Sequence, residues 1–410
     1  MAQAIAHTTR LPTRTEDEIP PFADVVVIGG GIVGAASAFW LAHVGLQPLL
    51  IERAKSLGTA TTAASAHCIR AQFSEPENVA MMRESLAIFE DFPALLKVSP
   101  AEADIGLTQQ GYLFASTEEA HIPVFRGRVE RQRALGLDDV ELLDGDEVQR
   151  RFAWITPSVV VATFRRRDGW IDGCRATMLF AQTANCPILL GTAVERIETK
   201  AGRVQAVHTS HGRIATERVV LATGPFAQEL AGEPLPIATV RRHRVIVSPN
   251  MRIPQSAPLT IDADTGAHWR PHAGGALLAW AQLEASSPAT WPVPVDPAFP
   301  NLVLRDPSGV GRLSPFWREL ALSLRADDIA LTAGQYTITP DRKPLIGAAS
   351  QTAGLWLHTG YSGHGIMGSP SGGRLLADLI VGRTDQDQNP FSPQRFDAGA
   401  TPPDVERILL

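Results

Sequence analysis

Hydrophobic residues near the start of the chain follow the order strand, helix, strand. Residues 25–28 and 48–51 are short apolar runs, and residues 35–44 between them are mostly small or apolar. Continuous apolar runs of this length are typical of buried parallel strands, which need a crossover helix between them. The pattern therefore predicts a strand–helix–strand unit over about residues 24–52.

The middle of the chain carries more closely spaced patterns. Residues 80–92 have the spacing of an amphipathic helix, residues 110–115 predict a strand, and the charged stretch 126–151 predicts a largely solvated helix. Residues 191–197 and 203–208 predict two strands around a Lys-Ala-Gly turn. The apolar stretch 218–222 predicts a buried strand that ends at a glycine.

The pattern becomes proline-rich from residue 235 to about 333, with β-like runs at 244–247 and 276–280, and then predicts a strand at 355–358 and a helix at 371–380. We therefore expect an α/β fold with a discontinuous nucleotide-binding domain (22–105, 155–236 and 334–390). An inserted, mainly antiparallel β-sheet substrate domain is expected over 106–154 and 237–333. Residues 1–21 lack the apolar core of a signal peptide and are predicted to be a disordered leader.

The turn after the first apolar run has the pattern Gly29-x-Gly31-x-x-Gly34, and Glu52 ends the second run. In a strand-to-helix turn these glycines permit a tight turn, close approach of a pyrophosphate and packing of the helix on the strand. The helix N terminus offers N–H groups to the phosphates, and the spaced acid can accept a ribose hydroxyl. The combination indicates dinucleotide binding, with a purely structural glycine turn as the alternative.

The composition of the chain argues against several classes of partner and site. The 410 residues are 44% hydrophobic and 20% charged, with a net charge of −6 and no basic block, which argues against a nucleic-acid partner. The three cysteines form no CxxC pair, which argues against a zinc site or a disulfide framework and favours a reducing cytoplasm. No apolar run is long enough to span a membrane, and no metal spacing or hydrolase motif is present, so no metal is expected.

Three later segments of the chain contain further sequence motifs. They are Cys-Ile-Arg-Ala-Gln-Phe at 68–73, the strand-to-Ala-x-Gly stretch 219–226, and Thr-Pro-Asp-Arg-Lys-Pro-Leu-Ile-Gly at 339–347 leading into Thr-Gly-Tyr-Ser-Gly-His-Gly-Ile at 359–366. With the glycine motif, they resemble the D-amino-acid oxidase, sarcosine oxidase and glycine oxidase family of FAD enzymes over about residues 22–385. The last pair of segments separates FAD enzymes from simple NAD dehydrogenases.

The resemblance implies an FAD-binding Rossmann-like domain of the glutathione-reductase type. It also implies noncovalent FAD, because Gly334 stands where some sarcosine oxidases carry the cysteine that attaches to the flavin. The residues expected to bind the cofactor are Gly29, Gly31, Ile32, Val33, Gly34, Glu52, Arg53, Ser65, Ala66, His67, Val194, Ala222, Thr223, Gly224, Gly334, Gly363, His364, Gly365 and Ile366.

On the substrate side, the resemblance implies that Arg70 binds a carboxylate and that Tyr336 and His243 lie near the amine. Arginine suits a carboxylate because its planar fork binds both oxygens. Met367 stands at the catalytic position where sarcosine oxidases carry a lysine that helps bind the carboxylate and activates oxygen. Compensation for that lysine is expected from the substrate domain, at Arg241, Arg242, His243, Arg244, His268, Trp269 or Arg270.

The activity implied by the resemblance is FAD-dependent oxidation of a secondary, N-alkyl or D-amino acid. A hydride passes from the α carbon to flavin N5, and the resulting imine hydrolyses. Alternatives are a 2-hydroxy acid dehydrogenase and a flavoprotein subunit of a heteromeric amine dehydrogenase. The expected partners are a small amine or amino acid, oxygen or a respiratory carrier as electron acceptor, and further subunits in a homo- or hetero-oligomer.

Overall fold

A computed structural model of the chain describes residues 13–14, 19–281 and 285–397. Its strands are β1 Thr13–Arg14, β2 Val25–Ile28, β3 Pro48–Ile51, β4 Cys68–Ile69, β5 Tyr112–Ser116, β6 Val140–Asp144, β7 Val161–Arg165, β8 Gly169–Trp170, β9 Ile188–Leu189, β10 Val194–Lys200, β11 Arg203–Thr209, β12 Gly212–Ala215, β13 Val219–Leu221, β14 Ala238–Val247, β15 Leu259–Asp262, β16 Ala267–His272, β17 Gly275–Trp280, β18 Ile329–Ile338, β19 Leu345–Ala348 and β20 Leu355–Thr359.

The helices join these strands and cover the sheets. They are α1 Ile32–His43, α2 Thr61–Ala64, α3 Pro76–Glu90, α4 Phe92–Leu96, α5 Ile122–Ala134, α6 Gly145–Arg151, α7 Gly173–Ala184, α8 Ala227–Ala231, α9 Phe299–Arg305, α10 Phe316–Ser323 and α11 Gly365–Ile380.

The first sheet is the nucleotide-binding type that the sequence predicts. Over the described residues its strand order is β1-β9-β3-β2-β13-β20-β19, with β2 parallel to β3 and to β13. Val25 and Val27 face one core, whereas Val26 and Ile28 face another, so β2 is buried on both faces. This double burial explains why the strand is a continuous apolar run.

Helices α1, α3, α7 and α11 cover one face of this sheet, and α1 packs directly on α7 and α11. The small antiparallel sheet β10-β11-β12 contributes to the core on the other face. The predicted pair of strands at 191–208 is confirmed, with its turn at Ala201 and Gly202.

The second large sheet has the strand order β18-β14-β17-β16-β15-β5-β7-β6 over the described residues. It is antiparallel except for the parallel pair β5 and β15. Helices α9 and α10 cover its outer face with a core around Trp269 and Trp317. The mainly antiparallel substrate sheet is therefore present.

The points at which the chain passes from one large sheet to the other differ from the predicted domain boundaries. Strand β7 lies within the segment assigned to nucleotide binding from residue 155, yet it pairs with β5 and β6 in the substrate sheet. Strand β18 crosses the boundary placed at residue 334 and pairs with β14 along its whole length. Both strands carry mixed polar and apolar residues, so periodicity alone does not show which sheet they join.

Two local predictions also differ from the structure. The stretch 126–151 is not one helix, because β6 lies between α5 and α6 and the charged residues occupy their exposed faces. Most of the predicted disordered leader lies outside the described residues. Within it, β1 pairs with β9 in parallel.

No helix in the part of the chain that the structure describes is long and apolar enough to cross a bilayer.

The packing of α1 on β2 yields a stability prediction at Gly34. A Cβ atom there would lie 1.8 Å from the carbonyl oxygen of Gly29, so the helix and the turn must move apart. We expect Gly34→Ala to lower the free energy of unfolding by about 3 kcal/mol because the backbone contact cannot relax cheaply. Urea denaturation measures this loss.

Gly127→Ala is the matched control, because Gly127 also lies inside a helix but nothing lies within 4 Å of its added Cβ. There we expect a gain of about 0.5 to 1 kcal/mol from the higher helix propensity of alanine. Equal effects at the two positions would contradict the packing account.

Candidate functional site

A cavity of about 450 Å³ opens at the carboxyl ends of β2, β3 and β13. This is where parallel sheets of this kind place ligands, and the volume lies in the usual range of about 300 to 1,000 Å³ for small-molecule sites. The remaining walls come from residues 59–65, residues 192–195, the end of β18 and the loop between β20 and α11.

The glycine turn forms the floor of this cavity. Gly29 has φ of +109°, and a Cβ atom there would lie 2.5 Å from the carbonyl oxygen of Ala222. The N-cap residue of helix α1, Gly31, has no side chain to cap the helix, and the first turn carries no acidic residue. The Ile32 N–H donates to Thr62 Oγ1 at 3.1 Å. The N terminus of a helix that opens into a cavity is suited to bind an anion, because its N–H groups and dipole face the ligand.

Glu52 lies at the end of β3 in the same cavity. Its Oε2 accepts from the Gly30 N–H at 2.6 Å and its Oε1 accepts from the Ala54 N–H at 2.8 Å. The carboxylate is therefore held in place by backbone N–H groups. Arg53 next to it stacks on Phe226, with Cζ 3.8 Å from the ring centroid.

The opposite end of the cavity is closed by Tyr336 and the glycine loop 363–365. A Cβ atom at Gly363 would lie 2.5 Å from Tyr336 Cε2, and Gly363 has φ of +92°, so only glycine fits against this ring without strain. Gly334, two residues earlier on β18, approaches α2, where its Cβ atom would lie 2.8 Å from Ala64 Cβ. The absence of a side chain at Gly334 thus serves close packing.

Residues 65–67 are held by arginines from the substrate sheet. The guanidinium of Arg244 donates to the Ser65 carbonyl, and Arg270 Nε and Nη2 donate to the Ala66 carbonyl at 3.0 and 2.8 Å. His67 follows with φ of +57°. This left-handed conformation makes a sharp bend in the backbone that no sequence pattern predicts.

The His67 ring connects this segment to two other parts of the backbone. The Gly173 N–H donates to His67 Nδ1 at 3.2 Å, so Nε2 carries the proton and donates to the Thr62 carbonyl at 2.9 Å. Burial lowers the pKa of His67 to about 4, which keeps the ring neutral near pH 7. Its contacts are structural, and it does not line the large cavity.

A buried hydrogen-bond chain connects the cavity wall to helix α1. The Ser37 hydroxyl donates to the Val33 carbonyl at 2.8 Å, so His358 Nδ1–H donates to Ser37 Oγ at 2.7 Å. Tyr361 O–H then donates to His358 Nε2 at 2.6 Å, and the Tyr361 ring lines the cavity. Burial lowers the pKa of His358 to about 3, so the chain contains a neutral imidazole.

The structure brings most of the predicted cofactor residues to this cavity. Gly29, Gly31, Ile32, Val33, Glu52, Arg53, Ser65, Val194, Ala222, Thr223, Gly224, Gly363, Gly365 and Ile366 line it. Five others do not: Gly34 packs on Gly29, Gly334 packs on Ala64, Ala66 and His67 lie behind Ser65, and His364 is buried against Phe73.

Arg70 and Met367 also lie away from the large cavity. Arg70 is 1% exposed, with its Cζ 3.9 Å from the Phe73 ring centroid and its Nη2 3.4 Å from His364 Nε2. Met367 is 6% exposed and belongs to the core between α1 and α11. Tyr336 does line the cavity.

His243 lies on the opposite face of β14 from Arg242 and Arg244. Its Nε2 accepts from the Asp296 N–H at 2.9 Å, and its ring stacks on Phe299 with centroids 4.8 Å apart. His243 does not line the large cavity, but it is among the residues that line a small neighbouring cavity with Arg242 and Tyr336. Strand alternation turns its ring away from Arg242, and the sequence shows this only once the strand is known.

Several cavity residues were not predicted. Thr62 binds the Ile32 N–H at the start of α1, and Tyr361 forms part of the cavity wall. Gln335 lines the cavity from β18, beside Tyr336. The three threonines within residues 59–62 are a sequence signal for this role, because threonine hydroxyls often bond backbone groups outside regular helices and sheets. The other unpredicted lining residues are Ile28, Ile51, Thr59, Ala60, Thr61, Thr192, Ala193, Glu195, Pro225, Phe226, Glu229, Leu230 and Thr337.

Comparison with known proteins finds one family model and many relatives. The model DAO, FAD dependent oxidoreductase, matches residues 24–379. FAD-dependent oxidoreductase domain-containing protein 1 of Xenopus laevis is 27% identical over 94% of this chain and 84% of its own length. Glycine oxidase of Geobacillus kaustophilus (strain HTA426) is 27% identical over 91% of this chain and 97% of its own.

Among solved structures, L-proline dehydrogenase from P. horikoshii has a TM-score of 0.81 at 25% identity, covering 94% of this chain and all of that one. These comparisons confirm the predicted family, the two-part α/β fold and FAD as the cofactor.

The residues of the large cavity fit FAD. Gly31, Ile32 and Val33 at the uncapped helix end would hold the pyrophosphate, and Glu52 would hold a ribose. The glycine loop at 363–365 and Tyr336 would hold the flavin ring. Gly334 offers no side chain for a covalent bond to the flavin.

Loss of the Tyr361 hydroxyl should weaken cofactor binding. Tyr361→Phe keeps the ring in the wall but leaves buried His358 Nε2 without its donor, which costs about 1 to 3 kcal/mol. We expect the Kd for FAD to rise about tenfold, measured by titrating apoprotein with FAD and following flavin fluorescence.

Tyr112→Phe serves as control, because Tyr112 is equally buried but lies outside the large cavity. An unchanged Kd in Tyr361→Phe would show that the chain does not position the cavity wall.

His358 also predicts a pH dependence of stability. Its pKa in the folded chain, about 3, lies below its ordinary value of 6.5, so protonation favours the unfolded chain. Its stabilising contribution is complete above pH 6.5 and is lost as the pH falls toward 3, with about 2 kcal/mol lost at pH 5. His358→Gln does not titrate and keeps a donor and an acceptor.

Urea unfolding at pH 7.5 and pH 5.0 should therefore show a drop about 2 kcal/mol smaller in His358→Gln than in the wild-type chain. Equal drops would mean that His358 is not held neutral.

Proposed function

We propose that this chain, which belongs to the family of FAD dependent oxidoreductases, oxidises a small amino acid at the carbon bearing its amine nitrogen. One observation carries the proposal: Tyr336 and Arg242 meet where the cofactor cavity reaches the substrate sheet. The relatives named for glycine and L-proline support the substrate class.

Arg242 is the best candidate for the substrate carboxylate. It lines a small cavity beside Tyr336, with its Cζ 5.7 Å from the Tyr336 ring centroid. Its Nη1 donates to the Arg241 carbonyl at 3.1 Å, and no carboxylate of the described residues pairs with it. Arg242 thus keeps donors for an anion, whereas Arg244 and Arg270 use part of theirs on the carbonyls of residues 65–66.

Tyr336 would orient the amine. Burial raises the pKa of its hydroxyl, so the group stays protonated near pH 7 and can donate to a neutral nitrogen or accept from an ammonium. A bound flavin supplies the two-electron acceptor for the substrate's α-carbon hydride. The residues around it bind and orient the substrate and exclude water, and the imine product hydrolyses to a carbonyl compound and an amine.

A 2-hydroxy acid substrate is the second candidate, and His268 favours it. His268 Nδ1 lies 2.9 Å from the Gly266 carbonyl and therefore carries the proton, which leaves Nε2 as a base. Burial lowers its pKa, so the ring is neutral. His268 lines the same small cavity as Arg242 and Tyr336, where it could take the proton of a hydroxyl group.

The electron acceptor, the association with other subunits and the cytoplasmic location stay predictions. The three cysteines are free, in keeping with a reducing compartment. Substitution of Met367 for the lysine of sarcosine oxidases favours a carrier over oxygen as acceptor.

Removing the Arg242 charge should raise KM and spare the cofactor. We expect Arg242→Gln to increase KM for the amino acid about 100-fold, since a charged hydrogen bond is lost, with little change in flavin content. Steady-state kinetics with a dye acceptor measures this. Arg241→Gln is the control, because its guanidinium points to the Pro294 carbonyl at 3.3 Å instead.

The same assay with matched amino acids, decarboxylated amines and 2-hydroxy acids separates the candidates. The proposal expects turnover of amino acids alone. Turnover of hydroxy acids that is lost in His268→Gln would favour the second candidate, and an unchanged KM in Arg242→Gln would remove the role given to Arg242.

A further inference from the structure

Buried and partly buried arginines in this chain commonly pair with carboxylates. Arg165 Nη1 lies 2.6 Å from Asp168 Oδ1, Arg312 Nη1 lies 2.7 Å from Asp262 Oδ2, and Arg395 Nε lies 2.8 Å from Asp341 Oδ2. Pairing is expected, because a buried charge without a partner is costly.

Arg244 and Arg270 depart from this rule. Arg270 is 3% exposed, and the partners of its guanidinium are the carbonyls of Ala66 and Pro271 and the neighbouring Cys68 thiol. Arg244 donates to the Ser65 carbonyl and to Thr332 Oγ1. Burial and, after it, the nearby charge of Arg270 lower the pKa of Arg244, yet among the described residues no carboxylate forms an ion pair with either arginine.

A second cavity of about 400 Å³ lies beside Arg270. Trp170 and Pro271 form an apolar wall, and the guanidinium of Arg270 lies 5.0 Å from the Trp170 ring centroid. His272 lines the rim with its side chain exposed. The cavity thus combines a flat apolar wall with a buried cation that forms no ion pair with a described carboxylate.

Asp172 is the one carboxylate lining this cavity among the described residues, and it caps helix α7 by accepting from the Arg175 N–H at 2.9 Å. Arg270 in the cavity wall and Arg244 near it, both close enough to act on His272, therefore stand against one lining carboxylate, and the region keeps a positive charge. An anion bound here would supply the missing counter-charge.

We propose that this second cavity binds a small organic carboxylate with a flat apolar body, whose anionic group faces Arg270 and whose body lies on Trp170. Residues 65–67 separate this site from the cofactor cavity, since Ser65 lines the cofactor cavity and His67 lines the second one. The ligand lies outside the proposed substrate position at Arg242. A ligand on Arg270 contacts the group that holds the Ala66 carbonyl, so the site is placed to influence the cofactor cavity.

Benzoate is a suitable probe, with benzyl alcohol as its uncharged counterpart. Calorimetry on the FAD-loaded enzyme detects every binding event, whereas flavin absorbance detects binding next to the flavin. We expect a calorimetric event for benzoate that leaves flavin absorbance unchanged and is absent for benzyl alcohol.

The matched variants change an exposed rim residue, so folding is preserved. His272→Glu places a carboxylate within reach of the field of Arg270 and should weaken this event about tenfold, whereas His272→Gln should leave it unchanged. Arg270→Lys, which keeps the charge but loses the planar fork, should weaken it about threefold.

The proposal is overturned if all benzoate binding follows flavin absorbance, or if His272→Glu and His272→Gln behave alike. Arg242→Gln distinguishes this failure from that of the proposed function. The Arg242→Gln variant should keep the benzoate binding that calorimetry detects and flavin absorbance does not, whether or not Arg242 binds the substrate.

Discussion

The contact between the glycine turn and the end of β13 is the constraint on which the site depends. Gly29 lies so close to the Ala222 carbonyl, and Gly34 so close to the Gly29 carbonyl, that a Cβ atom at either position would overlap backbone. This packing sets the N terminus of α1 at the carboxyl edge of the sheet, without a side-chain cap. The phosphates of an anionic cofactor there would interact favourably with the positive end of the helix dipole.

The other walls are brought to this edge by long-range pairing. Strands β13 and β20 lie side by side although more than a hundred residues separate them, and they carry the loops at 222–224 and 360–365 into one cavity. The chain Ser37–His358–Tyr361 ties the last of these loops to α1. The same buried contacts therefore hold the nucleotide-binding domain together and position the walls of the cofactor cavity.

Much of the nucleotide-binding domain could be predicted from the sequence, because glycine turns and doubly buried strands leave a strong local pattern. Glu52, Gly363 and Ala222 lie where their motifs indicated. Side-chain direction was harder to predict. Arg70 and Met367 occupy motif positions but point into packed cores, and His243 lies on the far face of β14. The strand and its register decide these directions, and β7 and β18 show that sheet membership is not contained in local periodicity.

The central claim is that this chain holds FAD and reduces it with a small amino acid. The most direct measurement is the visible spectrum of the purified protein during anaerobic addition of amino acids. The account predicts flavin absorbance in the protein as isolated and its bleaching by an amino acid but not by the corresponding amine without a carboxylate. A protein that binds no flavin, or a bound flavin that no amino acid bleaches, would contradict it.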